Sequence, residues 1–229
     1  DRPGRTADVA VSRRRGPLAR FAGGLLRLLG WRLLGPMPEL EKSVVIAAPH
    51  TSNWDVPILI IAGLALGVRV HVLIKHTAFW WPLGAVLRRL GGIPVDRRRP
   101  RAAVRTAVRA FREKPAMHLA LAPEGTRSLV RYWKKGFYFM AMEAGVPIVM
   151  ATIDFKRREV GVMGSFQPCG DPSVDMAVIR RAYTGIVARH PERMGPIELP
   201  ALIGSGEHRA GVRPGGTAEA GDSRRRSRE

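Results

Sequence analysis

From residue 43 onward, short apolar runs alternate with helix-length stretches, and no other feature narrows the possible folds as much. The runs "SVVIAA" (43–48), "VRVHVLI" (68–74), "GGIPVD" (91–96), "AMHLALA" (116–122), "VPIVMATIDF" (146–155) and "EVGVMGSF" (159–166) read as strands. Residues 56–66, 79–90, 101–114, 132–145 and 173–190 read as helices between and after them. Pro57 falls in a first helical turn, where proline is tolerated. Strands separated by helices of this length predict an α/β fold, with a largely parallel central sheet flanked by helices.

Composition agrees with one such domain. The 229 residues are 45% hydrophobic, enough for a sizeable core. A lone cysteine, Cys169, excludes an internal disulfide framework and suits a reducing compartment. The net charge is +19; residues 1–20 hold six Arg and two acidic groups, and residues 204–229 six Arg and four acidic groups. Residues 21–203 therefore keep +13, a field that attracts nucleic acid, anionic lipid or phosphorylated small molecules. Nucleic acid is the weakest of these, because neither zinc-finger spacing nor an RNP-type aromatic motif is present.

The longest unbroken apolar stretch, Val56 to Val68, has thirteen residues, short of the roughly 20 needed to span a bilayer. In residues 17–35, Leu18, Phe21, Leu25, Leu26, Leu29 and Leu33 recur every three or four positions. Arg20, Arg27 and Arg32 lie off much of that stripe, a pattern that fits a helix in a membrane interface or one packed on its own domain. The expected organisation is a flexible basic tail (1–16), an amphipathic interface helix (17–40), the main domain (41–203) and a disordered Gly- and Arg-rich tail (204–229).

Three strand ends carry groups suited to chemistry. "PHTSNWD" (49–55) follows the first strand, and ligands of open α/β sheets bind at strand carboxyl ends. A loop entering a helix there can turn His50 and Asp55 toward each other. An imidazole fixed by a carboxylate can take a proton from an alcohol. The spacing alone is weak, since an Asp helix cap beside a surface His gives the same pattern. "APEGTRS" (122–128) follows another strand in the same way. Gly125 can supply an unusual backbone angle there, and Arg127 a planar fork for phosphate. Arg97, Arg98 and Arg99 follow a third strand end.

These residues resemble the glycerolipid acyltransferases, the family that includes 1-acyl-sn-glycerol-3-phosphate acyltransferase. His50-Thr51-Ser52-Asn53-Trp54-Asp55 matches its His-x4-Asp motif, and Gly92-Ile93-Pro94-Val95-Asp96-Arg97 its second motif. Pro123-Glu124-Gly125-Thr126-Arg127-Ser128, Lys135-Gly136 and Val146-Pro147-Ile148-Val149 match those that follow. The resemblance spans roughly residues 40–160 in the family's order. Pro49 stands where many members have Asn.

The resemblance implies acyl transfer from acyl-CoA or acyl carrier protein to a hydroxyl of a lysophospholipid such as 1-acyl-glycerol-3-phosphate. His50 would be the general base and Asp55 its orienting partner. Arg97, Glu124, Gly125, Thr126, Arg127 and Lys135 would bind the acceptor. No metal and no cofactor beyond the acyl donor are implied. The partners would be an anionic membrane surface, the donor and the acceptor, with the chain at the cytoplasmic face of the membrane as a peripheral or monotopic protein. A different lipid or polyol acceptor is the alternative. His71, His76 and His118 read as structural or exposed, and Asp96 as turn support. Lys134 reads as a surface group, and Phe79-Trp80-Trp81 suits either a core or a membrane-facing edge.

Overall fold

A computed structural model describes residues 16–96 and 98–200. The expected tails therefore lie outside the described residues apart from Gly16, and so does Arg97. Seven strands form one sheet: β1 (Arg32–Leu34), β2 (Lys42–Ala48), β3 (Val70–Lys75), β4 (Gly92–Val95), β5 (Met117–Leu121), β6 (Ile148–Asp154) and β7 (Glu159–Phe166). Their order is β1-β7-β6-β2-β5-β3-β4. Every neighbouring pair is parallel except β6 and β7. The helices are α1 (Pro17–Leu28), α2 (Asp55–Leu66), α3 (Leu83–Arg89), α4 (Pro100–Glu113), α5 (Gly136–Ala144) and α6 (Pro172–Ala182). The predicted fold class holds.

The central strands are buried on both faces, as parallel sheets require. On one face Val44, Ile46, Leu119 and Ile148 pack with Val108 and Phe111 of α4, Phe137 and Ala141 of α5 and Ile179 of α6. On the other, Ala22 and Leu26 of α1 meet Ile58, Ala62 and Ala65 of α2 over Ile153 and Val160. Full burial of a side chain such as Phe137 or Leu26 contributes about 1.5–3 kcal/mol. The three α2 residues recur at spacings of four and three, which brings them to one face although the whole helix is apolar.

The N-terminal region differs from its sequence reading. The helix expected to fill the stretch ends at Leu28, and Arg32–Leu34 adds a parallel edge strand beside β7. Its buried face is Ala19, Ala22 and Leu26 rather than the larger stripe, and Leu18, Phe21 and Leu28 face solvent beside Arg20 and Arg27. On α2, Val56, Ile60 and Leu64 are likewise exposed. No described helix is long and apolar enough to cross a membrane. Trp80 and Trp81 are exposed, so they are not core. The helix expected over 173–190 stops at Ala182, and the chain beyond it is irregular.

Candidate active site

β2 and β5 are adjacent and parallel, with Ile46 opposite Leu121, so the loops that leave their carboxyl ends emerge side by side. Residues 49–54 form the first loop and lead into α2. Asp55 opens that helix, where a negative charge complements the helix dipole. Its side chain is fully buried and turns back on the loop. Asp55 Oδ2 lies 3.0 Å from His50 Nδ1 and accepts the main-chain N–H of Thr51 and of Ser52, each at 2.8 Å. Asp55 Oδ1 has no hydrogen-bond partner among the described residues.

With its Nδ1–H donated to this carboxylate, the imidazole presents Nε2 as the basic nitrogen. The His50 side chain keeps 16% of its surface exposed, and that of Asp55 1%. The pair can thus accept a proton at the surface while the countercharge stays shielded from water, where its stabilisation of the imidazolium is strongest.

The second loop meets the first at two points. Glu124 Oε1 accepts the His50 main-chain N–H at 3.1 Å, and Arg127 Nη1 donates to Asn53 Oδ1. Glu124 is only 8% exposed. Burial pushes its carboxyl above the ordinary range, opposed by the N–H groups it accepts. Its side chain turns inward, so that Oε1 braces the main chain of the His-bearing loop while Oε2 has no hydrogen-bond partner among the described residues. Arg127 and Thr126 are exposed, and Thr126 Oγ1 accepts the Ser128 N–H at 3.4 Å.

Gly125 has φ +65°, and a Cβ there would lie 2.5 Å from Lys134 Nζ, so the glycine makes room for that amine. Lys134 therefore lies on the loop, where only Lys135 had been singled out. Lys135 caps α5 from the next position, half-buried, its carbonyl accepting the Tyr138 N–H at 3.1 Å.

β4 is three strands from β2 in the sheet, about 14 Å at ordinary strand spacing. Asp96 supports the turn after β4, accepting the Arg98 N–H at 3.0 Å and standing 3.7 Å from Arg99. His118 bonds Ser43 at 2.9 Å at the opposite end of β5, and His71 is buried on β3, both structural as expected.

Two residues near the cluster have contacts that the sequence does not indicate. Tyr183, buried beyond α6, brings its hydroxyl within 3.0 Å of the Ile46 carbonyl and 2.8 Å of the Ala151 carbonyl. It bridges β2 and β6, and burial pushes its pKa well up, so it stays protonated. Thr51 is 3% exposed and bonded to residues 190 and 193.

The crystal structure of the 1-acyl-sn-glycerophosphate (LPA) acyltransferase PlsC from Thermotoga maritima is similar in fold, with a TM-score of 0.53. The two share 19% sequence identity over 74% of this chain and 77% of that one. No curated protein sequence matches the chain. The family model for Acyltransferase matches residues 34–154, which take in both the His50 loop and the Glu124–Arg127 loop. With more than half of its length covered by that model, the chain belongs to the Acyltransferase family.

Proposed function

We propose that the protein transfers a fatty acyl group from acyl-CoA or acyl carrier protein to a hydroxyl of a lysophospholipid such as 1-acyl-glycerol-3-phosphate. The observation behind this reading is the His50–Asp55 hydrogen bond beside a loop that carries Arg127. His50 Nε2 takes the acceptor's hydroxyl proton as the oxygen attacks the thioester carbonyl. The tetrahedral intermediate collapses, its C–S bond breaks, and the thiolate takes the proton back from the imidazolium. The acceptor becomes an oxygen ester and the donor a free thiol, so atoms and charge balance. Asp55 stabilises the cation between the two proton transfers.

Arg127 supplies a cation for the acceptor's phosphate. Arg127→Ala is expected to raise the acceptor KM about tenfold or more, the scale of one charged hydrogen bond. Phosphate-free acceptors should lose nothing. Steady-state kinetics against paired acceptors checks this, and equal losses with both would remove Arg127 from headgroup binding.

The acceptor is a membrane lipid, and the α1–α2 pair offers it a surface. Leu18, Phe21 and Leu28 are exposed beside Arg20 and Arg27, a composition suited to the interface of an anionic leaflet. The proposed location is the cytoplasmic face of the membrane, bound peripherally or monotopically. Phe21→Ser with Leu28→Ser is expected to weaken sedimentation with anionic vesicles several-fold while leaving the thermal midpoint nearly unchanged. Unaltered sedimentation would take this face out of membrane binding.

A further inference from the structure

After α6 the chain returns across the site as an irregular strap over residues 184–199, with one 3-10 turn at Pro191–Arg193. It is fastened to three loops at the carboxyl edge of the sheet. Beyond β6, the Phe155 N–H donates to the Val187 carbonyl at 2.9 Å. On the loop after β2, the His190 N–H donates to Thr51 Oγ1 at 3.2 Å, and Arg193 Nη1 lies 3.5 Å from the Thr51 carbonyl. The Arg189 guanidinium stands 5.9 Å from the Trp54 ring centre and 5.7 Å from that of Phe155. On the loop after β5, the Trp133 N–H donates to the Glu198 carbonyl at 2.8 Å. Gly195 passes so near that loop that a Cβ would fall 2.0 Å from the Val130 carbonyl oxygen.

Thr51 links the strap to the imidazole. Its own N–H donates at 2.8 Å to Asp55 Oδ2, the same oxygen that stands 3.0 Å from His50 Nδ1. We propose that the strap positions the general base: the His190 main chain and Arg193 hold Thr51, Thr51 helps set the orientation of the Asp55 carboxylate, and Asp55 sets the imidazole. Thr51 and Arg193 are thus positioning residues. Asp55 Oδ1 makes no bond among the described residues, so only the donors on Oδ2 resist rotation of the carboxylate. Loss of one of them lengthens or misdirects the contact to His50. This inference rests on the reading of His50 as general base.

The test uses the full chain carrying Thr51→Val, which keeps volume and the main-chain N–H but removes the hydroxyl that accepts from His190. Thr51→Ser restores the hydroxyl. Gly195→Ala forces the strap away from Val130 without touching Thr51. Thr51→Val and Gly195→Ala are each expected to lower kcat about ten- to a hundredfold, the scale of a small misplacement of a reacting group. The donor KM is expected to stay unchanged. The acid limb of kcat/KM should move to lower pH, because a looser carboxylate stabilises the imidazolium less. Thr51→Ser should behave like the wild type.

The His50 ring-nitrogen NMR titration should shift in the same direction without any substrate. Wild-type kcat, acid limb and His50 titration in folded Thr51→Val would overturn the proposal. If that variant does not fold, Gly195→Ala decides by the same readouts. A wild-type protein inactive toward every lipid acceptor would instead defeat the general-base reading, leaving the His50 titration to judge the strap.

Discussion

Replacing His50 with Ala is expected to lower turnover by about 10²–10⁴-fold, the usual contribution of a positioned general base. An uncharged hydroxyl is a poor nucleophile toward a thioester, and the His50 imidazole, held by the Asp55 carboxylate, offers a basic nitrogen suited to take its proton. The fold should survive the change. The His50 main-chain N–H still reaches Glu124, and Asp55 keeps the N–H groups of Thr51 and Ser52. Loss of one partly exposed side-chain hydrogen bond costs about 1 kcal/mol, too little to unfold a domain of this size. Circular dichroism with a thermal melt separates the two effects. A variant that melts like the wild type and keeps most of its activity would remove His50 from catalysis.

Asp55→Asn is expected to be comparably damaging, about 10³–10⁴-fold in kcat, as when a triad carboxylate is exchanged for an amide. Oδ2 faces His50 Nδ1, Thr51 N–H and Ser52 N–H together. If the Asn carbonyl oxygen occupies that place, the imidazolium still loses its anion, and the amide nitrogen sits at a buried position with no partner. If the amide is flipped, its N–H₂ opposes two main-chain donors and can only donate to His50, fixing the wrong tautomer. Either way the imidazolium is stabilised less. The acid limb of kcat/KM should therefore move to lower pH. A pH–rate profile from about pH 5 to 9 reads this directly. A full-rate Asp55→Asn enzyme with an unmoved profile would show that the carboxylate only caps α2.

The features legible in the sequence are those that repeat with a period or join short polar motifs to strand ends. The central strands β2 and β6, buried on both faces, and β5, partly buried on one, stand out because such burial requires near-continuous apolar runs. Their parallel pairing then brings His50 and Glu124 side by side. β1 is different: three residues, Arg32 to Leu34, are too few to show a period, and the leucines around them continue the helical one. The orientation of α1 was equally hidden, because Ala19 and Ala22 are small enough for close packing and leave Phe21 outside.

The direction of Glu124 depends on the neighbouring loop, which local sequence does not encode. The strap was invisible for the same reason. "ARHPERMGP" has no apolar rhythm, and its bonds to Thr51 join residues 139 and 142 positions apart. Lys134 and Lys135 are adjacent and chemically alike; the left-handed turn at Gly125 puts Lys134 on the loop.

The most direct test follows the label from an acyl-labelled CoA thioester during turnover with 1-acyl-glycerol-3-phosphate on anionic vesicles. Direct attack by the deprotonated acceptor predicts a labelled diacyl lipid, an equal amount of free thiol and no label trapped on the protein at any quench time. Label found covalently on the protein, or released only as free fatty acid, would contradict base-assisted transfer from donor to lipid through His50.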